Sequence, residues 1–256
     1  MSKADELRLL REAIKNFPDA LAIRSEDGEL VLCSDVYARL AASAPAGEHT
    51  EYQSADGRWL RRALRRLEGG GTLELLADVT ELRRVEQAMR FLAYHDTLTG
   101  LPNRRLLDDR LRQAIRLAQR RDRMVATLLV HLDDFRQVTD SLGHEAGDAV
   151  LREVAERLTG CVRKADTLAR AAADEFALVV CDLKDEADCR IVADKVLDAL
   201  SAEFRAGSRR VRLAVSIGIS LFPADAGDGE ALLRNADAAM VRAKQLGRNQ
   251  VRFFAR

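Results

Sequence analysis

The sequence predicts an α+β protein in which two domains with antiparallel sheets are joined by a helix. In the first 80 residues, Asp-Gly pairs at 27–28 and 56–57 stand between short apolar runs, which is typical of β-hairpins. After residue 124, strand and helix signals alternate in the order β-α-β-β-α-β, which favours an antiparallel-rich sheet with helices on one face. The predicted boundaries are 1–80 for the first domain, 81–95 for the connector and 96–256 for the second domain.

Composition excludes several classes of protein. Lys+Arg and Asp+Glu are 41 each, so no basic field indicates a nucleic-acid partner. No run of about eighteen apolar residues predicts a membrane segment, and the charged N-terminus does not resemble a signal peptide. The four cysteines lack paired metal-ligand spacing, which favours reduced thiols. We therefore expect a cytoplasmic protein.

The first domain begins with a predicted helix at 1–17, which ends at Pro18 and carries Leu7, Leu10 and Ile14 on one face. A hairpin over 20–33, a short helix to residue 40, and strands over 59–67 and 72–77 follow. The arginines of the third strand and of the residue before it would split between two faces, which favours a solvated surface over an anion site; they are Arg58, Arg61, Arg62, Arg65 and Arg66.

This order of elements ends in Asp78-Val79-Thr80, and residues 17–80 resemble a PAS sensor domain. The span is short for that family, because the helices that usually wall its ligand pocket are largely absent. The resemblance therefore implies a partner-docking or dimerising role, and we expect no bound haem or flavin.

The connector has helical periodicity, with apolar residues spaced three, four and three apart at Leu82, Val85, Met89 and Leu92. This pattern favours a short parallel coiled coil between two copies of the chain. Fewer than three heptads also fit a single amphipathic helix that packs on its own domain. We expect a homodimer that transmits the geometry of the first domain to the second.

In the second domain, a polar turn over 95–104 precedes a helix to about 121. A strand over 125–132 and a helical run broken near Gly143 follow. After the next hairpin, a helix over 186–204, a strand over 211–219, a helix over 230–246 and a last strand over 250–254 are predicted.

The tip of the hairpin before the 186–204 helix carries two adjacent acids, Asp174 and Glu175, which precede an apolar strand. Paired acids there suit a divalent metal held over a phosphate, although a solvated acidic turn gives the same pattern.

A series of motifs runs from residue 96 to the C-terminus in the order that the GGDEF (diguanylate cyclase) family has them, and the second domain resembles that family. The resemblance implies that each of two subunits binds one GTP with Mg²⁺. It also implies that a ribose 3′-hydroxyl of one GTP attacks the α-phosphate of the other, which yields cyclic di-GMP. The motifs are Asp96-Thr97-Leu98-Thr99-Gly100-Leu101-Pro102-Asn103-Arg104, Leu132-Asp133-Asp134-Phe135, Gly143-His144-Glu145-Ala146-Gly147-Asp148, Arg170, Asp174-Glu175-Phe176, Ser216-Ile217-Gly218-Ile219, Ala236-Asp237-Ala238-Ala239-Met240, Ala243-Lys244 and Gly247-Arg248-Asn249.

The departures from the family pattern fall on the active centre. Ala172 and Ala173 stand where the family signature has two glycines. If those positions require a left-handed backbone, each alanine costs about 1–2 kcal/mol, and its methyl group takes space that the nucleotide needs. His131 replaces the first metal-binding aspartate and is a poor ligand for Mg²⁺. Thr139 replaces the asparagine that recognises guanine.

Other positions keep the family's residues. The resemblance implies that Asp174 and the backbone of Leu132 are metal ligands, and that Glu175 binds metal and activates the hydroxyl. It further implies that Asp148 faces guanine and that Lys244 and Arg248 bind phosphate. Glu175, Lys244 and Arg248 are equally consistent with a purely structural role. The alanines alone would fit an engineered inactivation, but His131 and Thr139 favour natural degeneracy.

The sequence keeps the product-binding motif of the family as Arg163-x-x-Asp166, and five residues separate Asp166 from Ala172, the first position of the signature. The arginine suits a guanine edge or a phosphate, and the aspartate suits the guanine amino group. Outside a family match, a charged turn supplies the same pattern by chance. We therefore expect either cyclic di-GMP at this motif or GTP without turnover at the remnant site.

These observations favour a regulatory protein of cyclic di-GMP metabolism with an impaired second domain. The family often couples such domains to an EAL phosphodiesterase domain, which this sequence does not contain. The expected regulation acts in cis if the chain is part of a longer protein and in trans if it is complete. The alternatives are an active diguanylate cyclase and a ligand-free dimerisation scaffold.

Overall fold

The computed structural model describes residues 2–41, 50–207 and 209–255, and the chain divides into two compact units, Met1–Arg90 and Phe91–Arg256. The segment 42–49, which the sequence analysis assigned to the PAS-like region, lies outside the described residues. Within the described ranges, no helix is both long enough and apolar enough to cross a membrane.

The first unit is an antiparallel five-stranded sheet with the order β2-β1-β5-β4-β3. The two predicted hairpins and the short helix between them are present, whereas the sequence analysis missed β3. Apolar residues from the sheet and α2, among them Tyr37, Leu60 and Leu76, form a small core. The elements are α1 (Lys3–Lys15), β1 (Ala20–Arg24), β2 (Leu30–Cys33), α2 (Asp35–Ala41), β3 (Glu51–Gln53), β4 (Trp59–Arg66) and β5 (Thr72–Asp78).

A buried carboxylate lies inside the first unit. Glu74 is 3% exposed, and its Oε atoms lie 2.9 Å from Nε of Arg24 and 2.9 Å from Nε of Arg62. The Tyr37 hydroxyl donates to it at 2.7 Å. Burial alone would raise the pKa of Glu74, but the hydrogen bonds from Arg24 and Tyr37 and the charge of Arg62 outweigh burial and lower it.

Helix α3 (Thr80–Tyr94) starts in the first unit, where Thr80 fixes its first turn. The Thr80 hydroxyl accepts the Trp59 N–H at 2.9 Å and donates to the Asp78 carboxylate at 2.6 Å. Arg83 pairs with Glu51 and lies over the Trp59 ring. No residue of α3 is buried, so the predicted apolar seam is exposed.

The second unit is built on a five-stranded sheet with the order β12-β11-β6-β8-β7. All neighbouring strands are antiparallel except β11 and β12, which are parallel. The elements are α4 (Arg104–Arg121), β6 (Met124–Leu132), α5 (Phe135–Leu142), α6 (His144–Thr159), β7 (Thr167–Arg170), β8 (Glu175–Leu183), α7 (Glu186–Ser201), β9 (Phe204–Ala206), β10 (Arg209–Val211), β11 (Val215–Phe222), α8 (Gly229–Gln245) and β12 (Gln250–Phe253).

Helices cover both faces of this sheet, so the prediction of helices on one face is wrong. Side chains of α6 and α7 pack on one face, where Leu128 and Leu178 are fully buried. Side chains of α4 and α8 pack on the other face against Val125 and Val179. The physical reason is visible in the strands, because β6 and β8 are apolar at successive positions and expose neither face.

The segment after α7 also differs from the prediction. The predicted helix over 186–204 ends at Ser201, and Phe204 begins a short hairpin of β9 and β10. The Phe204 ring is buried, and the Arg157 guanidinium lies 4.1 Å from its centroid. Tertiary packing of Phe204 therefore ends the helix, and the predicted strand over 211–219 is divided between β10 and β11.

Candidate functional site

The acidic hairpin joins β7 to β8 and is closed by backbone hydrogen bonds. The N–H groups of Ala171 and Ala172 both donate to the Glu175 carbonyl, at 2.8 and 3.2 Å. Ala172 and Ala173 are absent from the described non-glycine residues with positive φ. The expectation of left-handed strain at these two alanines is therefore wrong, since the hairpin turns without that backbone conformation. Their side chains are exposed at the tip.

His131 lies between two carboxylates at the end of β6. Its Nδ1 is 3.3 Å from Oδ1 of Asp133, and its Nε2 is 3.6 Å from Oδ2 of Asp174. Asp133 is 4% exposed, and its Oδ2 accepts from the Ser216 hydroxyl at 2.8 Å. The backbone of Leu132 joins the hairpin, because its N–H donates to the Asp174 carbonyl at 3.1 Å. The imidazole thus occupies the space between the acids.

Glu175 is the strand partner of His131 in the β6–β8 ladder. Burial raises the pKa of the Glu175 carboxyl, and the negative charge of Asp237 raises it further. Arg104 and Lys244 act in the opposite direction but do not cancel these effects. The retained acid of the signature therefore lies in an environment that disfavours its charged form.

On the predicted guanine-facing side, the Thr139 hydroxyl is already satisfied. It donates to the Arg136 carbonyl within its own helix at 2.8 Å. Helices α5 and α6 approach closely here, because a Cβ at Gly147 would lie 2.5 Å from Cγ2 of Thr139. Thr139 thus packs its methyl group against the residue that precedes Asp148. Asp148 itself is half-buried in the first turns of α6.

The predicted phosphate-binding cations differ in their partners. Nη1 of Arg248 lies 2.5 Å from Oδ2 of Asp134, and the two residues are 114 positions apart in the chain. Both have a left-handed backbone, with φ of 60° at Arg248 and 56° at Asp134. No hydrogen bond or ion pair of Lys244's ammonium group is found within the described residues. An anion at this site must compete with Asp134 for Arg248 but not for Lys244.

The predicted product-binding motif forms a turn before β7. The Arg163 N–H donates to Oδ2 of Asp166 at 2.9 Å, and the Asp166 N–H donates to the Arg163 carbonyl at 3.0 Å. Oδ1 of Asp166 accepts the Cys181 N–H at 3.1 Å. Asp166 therefore fixes the turn to β8. The Arg163 side chain is exposed, and its guanidinium makes no ion pair with the described part of the chain.

Three residues to which the sequence patterns gave no site role, Asp96, Asn103 and Arg170, together connect α3 to the hairpin. Arg170 Nη1 donates to both carboxylate oxygens of Asp96 at 3.1 Å, and its Nη2 donates to the Ala173 carbonyl at 2.6 Å. Asn103 caps α4 by accepting the Leu106 N–H at 3.2 Å. Its own backbone N–H and side-chain amide donate to the last carbonyls of α3, at 2.9 and 3.1 Å.

Asp96, Asn103 and Arg170, which we call the clasp, line a cavity of about 480 Å³ between the start of α4 and the hairpin. Burial would raise the pKa of Asp96, but the hydrogen bonds from Thr99 and the partner Arg170 outweigh burial and lower it. In the sequence, Asp96 and Asn103 belong to the motif over 96–104, and Arg170 is a separate motif residue. The pairing of Arg170 with Asp96 joins residues that are 74 positions apart in the chain.

The metal site implied by the resemblance does not fit these residues. GGDEF domains generally use Mg²⁺, which prefers several oxygen ligands in octahedral geometry. In the described ranges, no group of three or more His, Cys, Asp or Glu side chains is arranged to hold a metal ion. His131 contributes nitrogen where an oxygen ligand is expected and separates Asp133 from Asp174.

Comparisons with known proteins agree on the second unit. The family model described as "Diguanylate cyclase, GGDEF domain" matches residues 93–250. The bifunctional diguanylate cyclase/cyclic di-GMP phosphodiesterase MucR of Pseudomonas aeruginosa is 46% identical over 175 residues, which cover 68% of this chain and 25% of MucR. The chain therefore spans about a quarter of that relative's length.

Solved structures give the same fold. The GGDEF domain of TpbB (YfiN) from Pseudomonas aeruginosa is 38% identical with a TM-score of 0.62, over 63% of this chain and 95% of that one. The coiled coil and GGDEF domain of DgcB from Caulobacter crescentus, in complex with c-di-GMP, is 26% identical with a TM-score of 0.61. That match covers 68% of this chain and 93% of the DgcB chain.

Proposed function

This chain belongs to the GGDEF domain family of cyclic di-GMP signalling, and we propose that it is a regulatory member that binds a guanine nucleotide without joining two GTP molecules. The observation that carries the proposal is the position of His131 between Asp133 and Asp174. A metal ion held by Asp174 and the backbone of Leu132 would meet the nitrogen of His131 where an oxygen ligand is expected. Phosphoryl transfer in such a site relies on metal ions for charge neutralisation and alignment.

Two further features support impaired turnover. The Thr139 hydroxyl is bonded within its own helix, so it offers a guanine base less than the asparagine that the family has there. Arg248 is paired with Asp134, and a triphosphate must break that pair before it gains the arginine. Metal, base and phosphate contacts are therefore weakened together, whereas the fold around them is kept.

We propose cyclic di-GMP as the ligand and Arg163 as its principal contact. The exposed guanidinium has no ion pair to break in the described residues, and a bidentate fork suits a guanine edge or a phosphate. Asp166 holds the turn through two backbone N–H groups, so little ordering accompanies binding. The DgcB structure, which contains c-di-GMP, shares this fold.

We propose that the whole chain works as a homodimer through its first unit and α3, with the first unit in a PAS-like docking role. The name of MucR describes it as both a diguanylate cyclase and a cyclic di-GMP phosphodiesterase, and this chain matches a quarter of its length. A phosphodiesterase, in the same or another chain, is therefore the proposed recipient of the signal.

The test is calorimetric titration of the whole chain with cyclic di-GMP, beside the variants Arg163→Ala and Lys164→Ala. We expect micromolar binding that Arg163→Ala weakens at least tenfold, since a charge-assisted bidentate contact contributes roughly 1.5–3 kcal/mol. Lys164 is exposed in the same turn, so Lys164→Ala is the matched control and should bind like the unmodified chain.

Incubation with GTP and Mg²⁺ or Mn²⁺ separates the alternatives. Formation of cyclic di-GMP that disappears in Glu175→Ala would identify an active cyclase and overturn the proposal. Absence of binding to both GTP and cyclic di-GMP would leave a scaffold that works by dimerisation alone.

A further inference from the structure

The short hairpin of β9 and β10 concentrates positive charge on the surface of the second unit. Four arginines stand in the span 205–212, and that span contains no Asp or Glu. All four are exposed, whereas the apolar residues of β9 are buried. We call these four residues the arginine cluster; they are Arg205, Arg209, Arg210 and Arg212.

Two of these arginines are direct cross-strand partners. Arg205 of β9 lies opposite Arg210 of β10 in the antiparallel register, next to the pair of Phe204 and Val211. Opposite residues project to the same side with Cβ atoms about 5 Å apart, and like charges placed there repel each other. The pair therefore lowers the stability of the hairpin, and a partner that supplies negative charge would offset the repulsion.

The hairpin is fixed to the rest of the second unit at its base. The Phe204 ring is fully buried, and the Arg157 guanidinium lies 4.1 Å from its centroid. Arg157 also donates to the Glu203 carbonyl at 2.6 Å, and the backbone N–H of Arg205 donates to Oε2 of Glu153 at 2.8 Å. The arginine cluster therefore projects from a preformed backbone, so binding requires little ordering of the chain.

The ion pairs of the cluster with the described residues leave part of its charge unmatched. Oε2 of Glu203 lies 3.7 Å from Nη1 of Arg210, and Oε1 lies 3.5 Å from Nε of Arg212. The guanidinium groups of Arg205 and Arg209 make no hydrogen bond or ion pair within the described part of the chain. One carboxylate thus already lies between two arginines, and the other two arginines are available to further carboxylates.

We propose that the arginine cluster docks an acidic segment of a partner protein, whose carboxylates bind across Arg205 and Arg210. The planar fork of an arginine side chain matches a carboxylate in a bidentate contact. Two adjacent forks on one side of a hairpin therefore fit two neighbouring acids. This surface is separate from the proposed nucleotide contact at Arg163 and adds a protein partner to it.

Two observations favour protein carboxylates over the phosphates of a nucleic acid or a membrane. Lys+Arg and Asp+Glu are 41 each, so the chain lacks the basic field that attracts extended polyanions. Each strand of the hairpin has three residues, so the surface is only about 10 Å long. The described residues of the hairpin also offer no exposed aromatic ring on which a base could stack.

The probe is a rhodamine-labelled hexaglutamate peptide, titrated with the whole chain at low ionic strength and followed by fluorescence anisotropy. We expect a dissociation constant on the order of 100 μM, because exposed ion pairs are individually weak, and added salt should raise it. The double variant Arg205→Gln/Arg210→Gln should raise it about tenfold. Arg190→Gln is the matched control, since it removes an exposed arginine that pairs with Asp194 on α7, and it should bind like the unmodified chain.

Thermal unfolding distinguishes docking from a structural role. Removal of the like-charged pair should leave the Tm unchanged or raise it, whereas a structural role predicts a lower Tm. Arg205→Lys/Arg210→Lys keeps the charges but loses the forks, so its affinity should lie between those of the unmodified chain and the glutamine variant.

The proposal is overturned if the chain does not bind hexaglutamate, or if the glutamine variant binds it as the unmodified chain does. A lower Tm of the glutamine variant would also overturn it, because the arginines would then serve the fold. Oligothymidylate and vesicles of equal parts phosphatidylglycerol and phosphatidylcholine are the competing probes. Tighter binding of either through Arg205 and Arg210 would assign the cluster to phosphate and overturn the protein partner.

Discussion

His131 of β6 lies beside Asp174 of the acidic hairpin, with Nε2 of the imidazole 3.6 Å from Oδ2 of the carboxylate. The same ring lies 3.3 Å from Asp133 on its other side. One side chain therefore links the buried Asp133, which directly follows β6, to the half-buried Asp174 of the hairpin. In this chain the acidic hairpin is joined to β6 by this contact and by the Leu132 N–H, which donates to the Asp174 carbonyl.

Replacement of His131 by aspartate should make the site dependent on metal. Three neighbouring carboxylates repel one another, so we expect His131→Asp to lower the free energy of unfolding by about 2–3 kcal/mol in EDTA. Mg²⁺ at ten times its Kd should raise the Tm of the variant by roughly 3–6 °C. The unmodified chain should show no such rise.

Thermal unfolding with EDTA or Mg²⁺ makes this comparison, and His144→Asp adds an acid at an exposed histidine as the control. A Mg²⁺-dependent rise in the unmodified chain that disappears in Asp174→Asn would contradict the expectation.

The clasp between Arg170 and Asp96 should stabilise the second unit. The Arg170 side chain is 12% exposed, and it donates to Asp96 and to the Ala173 carbonyl. Arg170→Lys keeps the positive charge but loses the bidentate guanidinium, so we expect the free energy of unfolding to fall by about 2 kcal/mol. Chemical denaturation followed by far-UV circular dichroism measures this change. Arg105→Lys, which changes an arginine over the Tyr94 ring, is the control and should cost under about 1 kcal/mol. Equal losses in both variants would mean that the fork geometry is unimportant.

Glu74 should make the first unit sensitive to acid. Its pKa is lowered in the folded state, so its contribution to stability is complete above its unfolded pKa and is lost as pH falls through the lowered value. The chain has one tryptophan, Trp59, which lies in the first unit. Urea unfolding followed by Trp59 fluorescence should therefore show a falling midpoint below about pH 4.5.

Glu74→Gln supplies the control for that experiment. The variant should be less stable than the unmodified chain at pH 7, and the difference should shrink as the pH approaches 3. A constant difference over this range would assign the loss to packing rather than to charge.

Gly218 allows α8 to pack directly on β11. A Cβ at this position would lie 2.0 Å from the Ala236 carbonyl oxygen and 2.2 Å from the Met240 nitrogen, both of which are backbone atoms. Neither can move without displacing α8, so Gly218→Ala should destabilise the second unit by about 3 kcal/mol. Gly227→Ala is the control, because no atom lies within 4 Å of a Cβ there. Denaturation midpoints that shift equally in the two variants would exclude close packing as the cause.

Motif order predicted the family and most of the second unit, and the comparisons confirm the family over residues 93–250. Helix starts were readable because a local side chain forms the cap, as at Asn103 before α4. The extension of the predicted helix to Phe204 failed because burial of that ring ended the helix, and no local signal marked it. The assignments of Glu175, Asp148, Lys244 and the PAS-like region stay predictions.

The sequence by itself determined which residue types stand at the predicted site: alanines in the signature, a histidine before Leu132 and a threonine at 139. The tertiary structure decided which contacts form around those residues. It placed His131 between Asp133 and Asp174, paired Arg248 with Asp134, and turned the hairpin without left-handed alanines. The physical reason is that these contacts join strands and loops far apart in the chain, so they depend on sheet register and helix packing rather than on neighbouring residues.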